Sequence, residues 1–164
     1  MIYYRIRPHC SDLNNIPLYL TLSAEQGKHV TVERLISDGK DSSQLWSPVE
    51  YISNGNEQCF VLLNRKNQQV IEAPNERAAV SLTSPDKIGG RRATWRFLNS
   101  SDSDSRGFGA IQLQQNDSMN LNVPGDGPYK PGSEVVVWDW GGGHQNEVWT
   151  FELVVDDTQP EAGI

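Results

Sequence analysis

Three tryptophans, Trp46, Trp95 and Trp149, each close a stretch of short apolar runs, at intervals of 49 (95 − 46) and 54 (149 − 95) residues. Self-similarity at that pitch marks one unit written three times, which bounds the fold before any site is considered. The match extends beyond the tryptophans. Leu20, Ile71 and Leu121 recur at steps of 51 (71 − 20) and 50 (121 − 71), each inside an alternating run with the period of a half-buried strand. Val30 with Val32, Val80 with Leu82, and Val135 with Val137 repeat as a second strand, and Tyr4 to Ile6, Phe60 to Leu63 and Ile111 to Leu113 open each unit. With the segment that carries each tryptophan, this gives four short strands per unit and about twelve in all, which predicts an all-β barrel or sandwich.

A chain of 164 residues is long enough for one domain around a single core. Its 14 glycines and 9 prolines suit short strands joined by tight turns. The net charge is −7 and the longest basic run is the pair Arg91 and Arg92, which argues against a nucleic-acid partner. The opening Met-Ile-Tyr-Tyr-Arg-Ile-Arg-Pro leads directly into a strand pattern and lacks the apolar stretch of about 7–15 residues of a secretory signal. No window approaches the roughly 18 consecutive apolar residues of a membrane span. The expectation is a cytosolic protein, or one exported by a route the sequence does not show. Cys10 and Cys59 lie 49 residues apart (59 − 10), about one repeat, which predicts reduced thiols at related corners of the three units. His9, His29 and His144 have no metal-ligand spacing, so neither a metal nor a cofactor is expected.

Turn signals fall at Asp38-Gly39, Asn54-Gly55 and Gly89-Gly90, and the polar, acidic run Ser100 to Gly107 is expected to be a mobile loop. These place the repeats near 1–52, 53–101 and 102–155, with residues 156–164 expected to be a disordered tail. The extra length of the third repeat is local. Leu20 to Val30 spans 10 and Ile71 to Val80 spans 9, but Leu121 to Val135 spans 14, so the insertion lies in the Pro-rich stretch Pro124 to Ser133. Long loops in a compact β domain are commonly functional, and three prolines oppose disorder here.

Gln44-Leu45-Trp46, Ala93-Thr94-Trp95-Arg96-Phe97 and Glu147-Val148-Trp149-Thr150-Phe151, set in three units of about 50 residues, resemble the ricin B-type β-trefoil lectins. Residues 132–151 look most like the small fungal lectins of that family that lack a secretion signal, and the resemblance covers residues 1–155. It implies a β-trefoil, a six-stranded barrel capped by three hairpins with the periodic tryptophans in its core. It also implies a carbohydrate-binding protein that is not an enzyme, with glycans or glycoproteins as partners and terminal galactose or N-acetylgalactosamine as the ligand. A homodimer is left open.

Sugar sites of the family use a carboxylate on the second strand, an aromatic after the third and an Asn three residues before the closing tryptophan. The chemistry is that a pyranose lays an apolar face on a ring and offers an edge of hydroxyls to fixed donors and acceptors. By internal alignment the first repeat offers Thr21, Glu33 and Ser43 and the second Glu72, Thr83 and Arg92, so both lack the aromatic. The third offers Asn122, Trp138 and Asn146, together with Asp126 and Tyr129 in the insertion and the Trp140-Gly-Gly-Gly-His144 turn. These are the expected carbohydrate-binding residues: Asn122, Asp126, Trp138, Trp140, His144 and Asn146. The pattern departs from the family at Asn122, a neutral amide where an Asp is usual, which predicts weaker binding, a different sugar or no binding at this spot unless Asp126 supplies the carboxylate. Glu33 and Asp38 are the acids available to a first-repeat site. The rival expectation is a trefoil protease inhibitor with a protease as partner, presenting the loop at Arg91 and Arg92 or the Pro-rich insertion.

Overall fold

The computed structural model describes residues 1–52 and 58–155. The Asn54-Gly55 turn and the tail at 156–164 therefore lie outside the described residues. The fold is all-β. In the first repeat β1 is Tyr3–Pro8, β2 Tyr19–Leu22, β3 Val30–Glu33 and β4 Trp46–Ile52. In the second, β5 is Gln58–Asn64, β6 Val70–Glu72, β7 Ser81–Thr83 and β8 Trp95–Asn99. In the third, β9 is Gly109–Leu113, β10 Met119–Asn122, β11 Ser133–Glu134, β12 Val136–Asp139 and β13 Trp149–Val154.

Six of these strands close on themselves. β1 pairs with β4, β4 with β5, β5 with β8, β8 with β9, β9 with β13 and β13 with β1, all antiparallel. Closure satisfies both edges of every barrel strand, which is why a chain of short strands needs no outer cover. The remaining strands form three hairpins, β2 with β3, β6 with β7 and β10 with β12. They meet at one end of the barrel, where the Val80 amide donates to the Val135 carbonyl at 3.0 Å and the Val135 amide to the Val30 carbonyl at 3.0 Å. This junction explains a departure from the twelve-strand expectation. The third strand of repeat three breaks at Val135, so that β11 pairs with β3 while β12 continues along β10.

The threefold relation is written in hydrogen bonds. The indole N–H of Trp46 donates to the Leu20 carbonyl at 2.9 Å, that of Trp95 to Ile71 at 3.2 Å and that of Trp149 to Leu121 at 2.9 Å. Each tryptophan is fully buried, and each needs a partner for its one donor. The hairpin carbonyl supplies it, and so ties every cap to its barrel strand. In the same way Leu20 faces Val32, Ile71 faces Leu82 and Leu121 faces Val137, which confirms the internal alignment of the hairpins.

Within the barrel, Tyr4, Phe60 and Gly109 occupy equivalent places opposite Trp46, Trp95 and Trp149. Gly109 is the small member because Phe97 fills that space. A Cβ there would lie 2.7 Å from the Phe97 ring and 2.4 Å from the Leu98 carbonyl oxygen. Tyr4, Phe60 and Phe97 all meet Phe151 edge to face, with centroids 5.3–6.3 Å apart.

Two expectations need correction. The first strands of repeats one and two are 56 residues apart (Phe60 − Tyr4), not 49, so Cys59 corresponds to Tyr3 and not to Cys10. Both cysteines are buried free thiols: Cys10 packs in the main core, and the Cys59 thiol reaches the Tyr51 carbonyl. Second, the run Ser100 to Gly107 is folded. Asp102 caps a short 3₁₀ turn at 103–105, the Ser100 amide donates to the Phe108 carbonyl, and Ser105 is buried against His9.

Candidate functional site

The insertion 124–132 leaves β10 and returns to β11, and repeat one anchors it. Lys28 donates to the Gly132 carbonyl at 2.9 Å, Tyr129 bridges to Asp12, and the Tyr129 ring packs on the main core. A second loop, Trp140 to Glu147, leaves β12 and returns to β13. Between the two loops lies an open cleft of about 720 Å³, with the ends of β10 and β12 as its floor. All six residues expected from the sequence, Asn122, Asp126, Trp138, Trp140, His144 and Asn146, line it.

Trp138 follows Val137, which points into the core, so strand alternation turns its ring outward. It is 46% exposed, and Trp140 is 43% exposed. Exposed indoles in a concave surface are costly to leave in water and apt to pack a flat apolar face. Asn122 lies one residue beyond Leu121 and is 4% exposed. Its Oδ1 accepts from Asn146 Nδ2 at 2.9 Å, and the same Nδ2 donates to the Val123 carbonyl at 2.9 Å and the Gly125 carbonyl at 3.3 Å. The two amides are thus locked together. Asn146 Oδ1 and Asn122 Nδ2 are the ends not used in that bond, and both residues line the cleft.

Sequence reasoning passed over the residue that shapes the rim. Glu147 is 4% exposed, and its carboxylate accepts three backbone amides: Gly141 at 2.6 Å, Gly143 at 3.0 Å and His144 at 3.1 Å. Oxygen and backbone approach so closely that a Cβ on Gly141 would sit 2.7 Å from Glu147 Oε1. Gly142 and Gly143 adopt φ of +100° and +92°, and Gly143 lies under the Trp140 ring. The signal was present in the chain: Glu147 stands where repeat one has Gln44. That glutamine organises its own loop differently, accepting from the Ile36 amide at 3.0 Å and donating to the Arg34 carbonyl at 2.9 Å.

Three carboxylates line the cleft. Glu147 is held by backbone donors, and Asp139 by a bidentate pair with Arg77 at 2.7 and 3.0 Å. Asp126, exposed on the insertion, is the one of the three not committed to such a partner among the described residues.

The equivalent places elsewhere differ. A cleft of about 620 Å³ in repeat one is lined by Thr21, Glu33 and Ser43 with Arg34, Asp41 and Lys66, and carries no aromatic ring. In repeat two Glu72 is buried, accepting from Ser81 and pairing with Arg91 at 3.2 Å, while Thr83 is buried. Arg91 is therefore held on Glu72, and Arg92 lies 3.9 Å from Glu76, so neither guanidinium of that loop is presented unpaired. Among the described residues no group of three or more His, Cys, Asp or Glu could hold a metal, and no helix is long and apolar enough to cross a membrane.

No protein-family model matches the chain, and no curated protein matches it in sequence. Solved structures do. The β-trefoil protein BEL superposes with a TM-score of 0.65 at 14% identity, covering 93% of this chain and 93% of that one. A ricin B-like lectin of Macrolepiota procera, solved with lactose, matches with a TM-score of 0.62 at 16% identity over 92% of this chain and 94% of its own. The C-terminal half of an earthworm R-type lectin, solved with GalNAc, matches with a TM-score of 0.61 at 15% identity over 94% and 100%. The closed barrel, the three capping hairpins and these superpositions together make the chain a β-trefoil, the fold of the ricin B-like lectins.

Proposed function

We propose that the third-repeat cleft binds glycans ending in galactose or N-acetylgalactosamine, and that the protein is a lectin without catalytic activity. One observation carries this reading: the outward indole of Trp138 converges with the locked Asn122–Asn146 amides and with Asp126 around a single open cleft. Galactose presents an apolar face of C–H groups because its axial 4-hydroxyl points to the opposite side. That face suits Trp138, and the hydroxyl edge suits the amides and carboxylate. The lactose and GalNAc bound by the two lectins of the same fold support this choice of sugar. Glycoside cleavage needs two carboxylates free to act across the bond, whereas Asp139 and Glu147 are already engaged by Arg77 and by backbone amides.

The test is a glycan array probed with the wild-type protein and two variants. Trp138→Ala should abolish the galactose-terminal signal while the circular dichroism stays that of the parent. Asn146→Ala should weaken binding by about 1–3 kcal/mol, since it frees Asn122 and two carbonyls from their donor. Changes at Glu33 or Glu72 should do little. Full-strength binding by Trp138→Ala would place the site in another repeat. No bound glycan, with trypsin or papain inhibited instead, would replace the reading by that of a protease inhibitor.

A further inference from the structure

Tyr129 and Gln145 line two clefts. On one side is the cleft of Trp138; on the other is a second, of about 480 Å³, walled by Arg7, His9, Ser11, Asp12, Asn15 and Phe108. These two residues therefore form a wall common to both hollows. Backbone bonds fix the ridge between them, since the Cys10 amide donates to the Gln145 carbonyl at 2.9 Å and Tyr129 bridges to Asp12.

The second cleft is chemically unlike the first. It has no tryptophan. It offers a hydroxyl at Ser11, carboxamides at Asn15 and Gln145, and an imidazole at His9. Its strong charges are already matched: Arg7 bonds Glu152 and lies 5.3 Å over the Phe108 ring, while Asp12 is bound by Arg34 at 2.5 Å. His9 stacks on Phe108 with centroids 4.3 Å apart, which fixes the plane of its ring. The wall is thus rich in hydrogen-bonding groups with little unpaired charge, and suits a neutral, hydroxyl-bearing ligand.

We propose that the glycan site continues past Tyr129 and Gln145 into this second cleft, where a neutral second sugar residue is held. The inference rests on the lectin reading of the first cleft and adds to it that the unit recognised is at least a disaccharide. The first cleft would then select the terminal sugar by stacking, and the second would select its neighbour by hydrogen bonds alone.

Titration calorimetry with methyl galactoside, lactose and melibiose tests this directly. For the wild-type protein, at least one of the two disaccharides should bind about fivefold or more tightly than methyl galactoside, the order expected from one or two added neutral hydrogen bonds. A Ser11→Ala, Asn15→Gly double variant removes polar groups from the second cleft only, and glycine suits the φ of +60° at Asn15. It should bring that ratio close to one and leave methyl galactoside binding unchanged. Equal affinity for all three sugars, or a ratio that survives the double variant, overturns the extended site while leaving the first cleft a lectin site. Failure of all three sugars to bind overturns both.

Discussion

Replacing Glu147 with Gln changes one oxygen to an NH₂ group at nearly constant volume, and so isolates the rim loop's dependence on a carboxylate. In the parent protein one oxygen accepts the Gly141 amide and the other accepts those of Gly143 and His144. A glutamine has a single acceptor oxygen, so in either orientation at least one backbone N–H faces another donor. Losing one hydrogen bond to a charged group costs about 1.5–3 kcal/mol. The bonds that remain become neutral, and neutral bonds are roughly half as strong as charge-assisted ones. The expected loss is therefore about 2–4 kcal/mol, or a fall in Tm of roughly 4–16 °C for a domain of this size. Urea unfolding followed by tryptophan fluorescence measures the loss, and amide exchange at Gly141, Gly143 and His144 shows whether it is local. Binding should fall with it, because the same loop carries Trp140 and His144. A variant with the parent midpoint and unchanged exchange at those three amides would refute this reasoning.

Trp95→Ala should cost about 3–5 kcal/mol, since it empties a fully buried site and orphans the Ile71 carbonyl; denaturant titration measures it, and a loss under 1 kcal/mol would mean that the threefold core does not depend on its tryptophans. Cys10 should resist iodoacetamide at pH 8 in the native protein and react once unfolded, as mapped by mass spectrometry, because burial pushes its thiol up to about 12 against a backbone hydrogen bond that lowers it. The same raised value has a sign for stability. The unfolded thiol ionises near 9.0 while the folded one holds its proton, so the contribution is complete below about pH 9 and is lost as pH rises from there towards 12. Cys10→Ala should flatten that alkaline slope in urea titrations across pH 8 to 11.

The tryptophan period and the hairpin pairs were legible because both report buried contacts that each repeat makes identically. Leu20, Ile71 and Leu121 accept the three indole N–H bonds, and any trefoil built from this chain must keep them aligned. Spacing misled where the repeats differ in loop length. Strand one of repeat two begins late, and this displaced Cys59 from the correspondence with Cys10 that their separation suggested. Polarity misled at Ser100 to Gly107, where a hydrophilic run still folds because Asp102 and Ser105 satisfy its backbone. The aromatic and the two asparagines of the cleft followed from the family resemblance read through the internal alignment. Glu147 did not, because its role depends on three backbone donors that no residue name discloses. The second cleft was further out of reach, since residues near 7–15, 108, 129 and 145 meet only after the barrel has closed.

The most direct test of the central claim is a crystal structure of the protein with lactose. The galactose ring should lie with its C–H face roughly 3.5–4 Å from the Trp138 indole, the usual carbon–carbon contact distance. Its hydroxyls should bond Asn122, Asn146 and Asp126. Lactose seated in the first-repeat cleft at Glu33, with the Trp138 cleft empty at saturating sugar, would contradict the account.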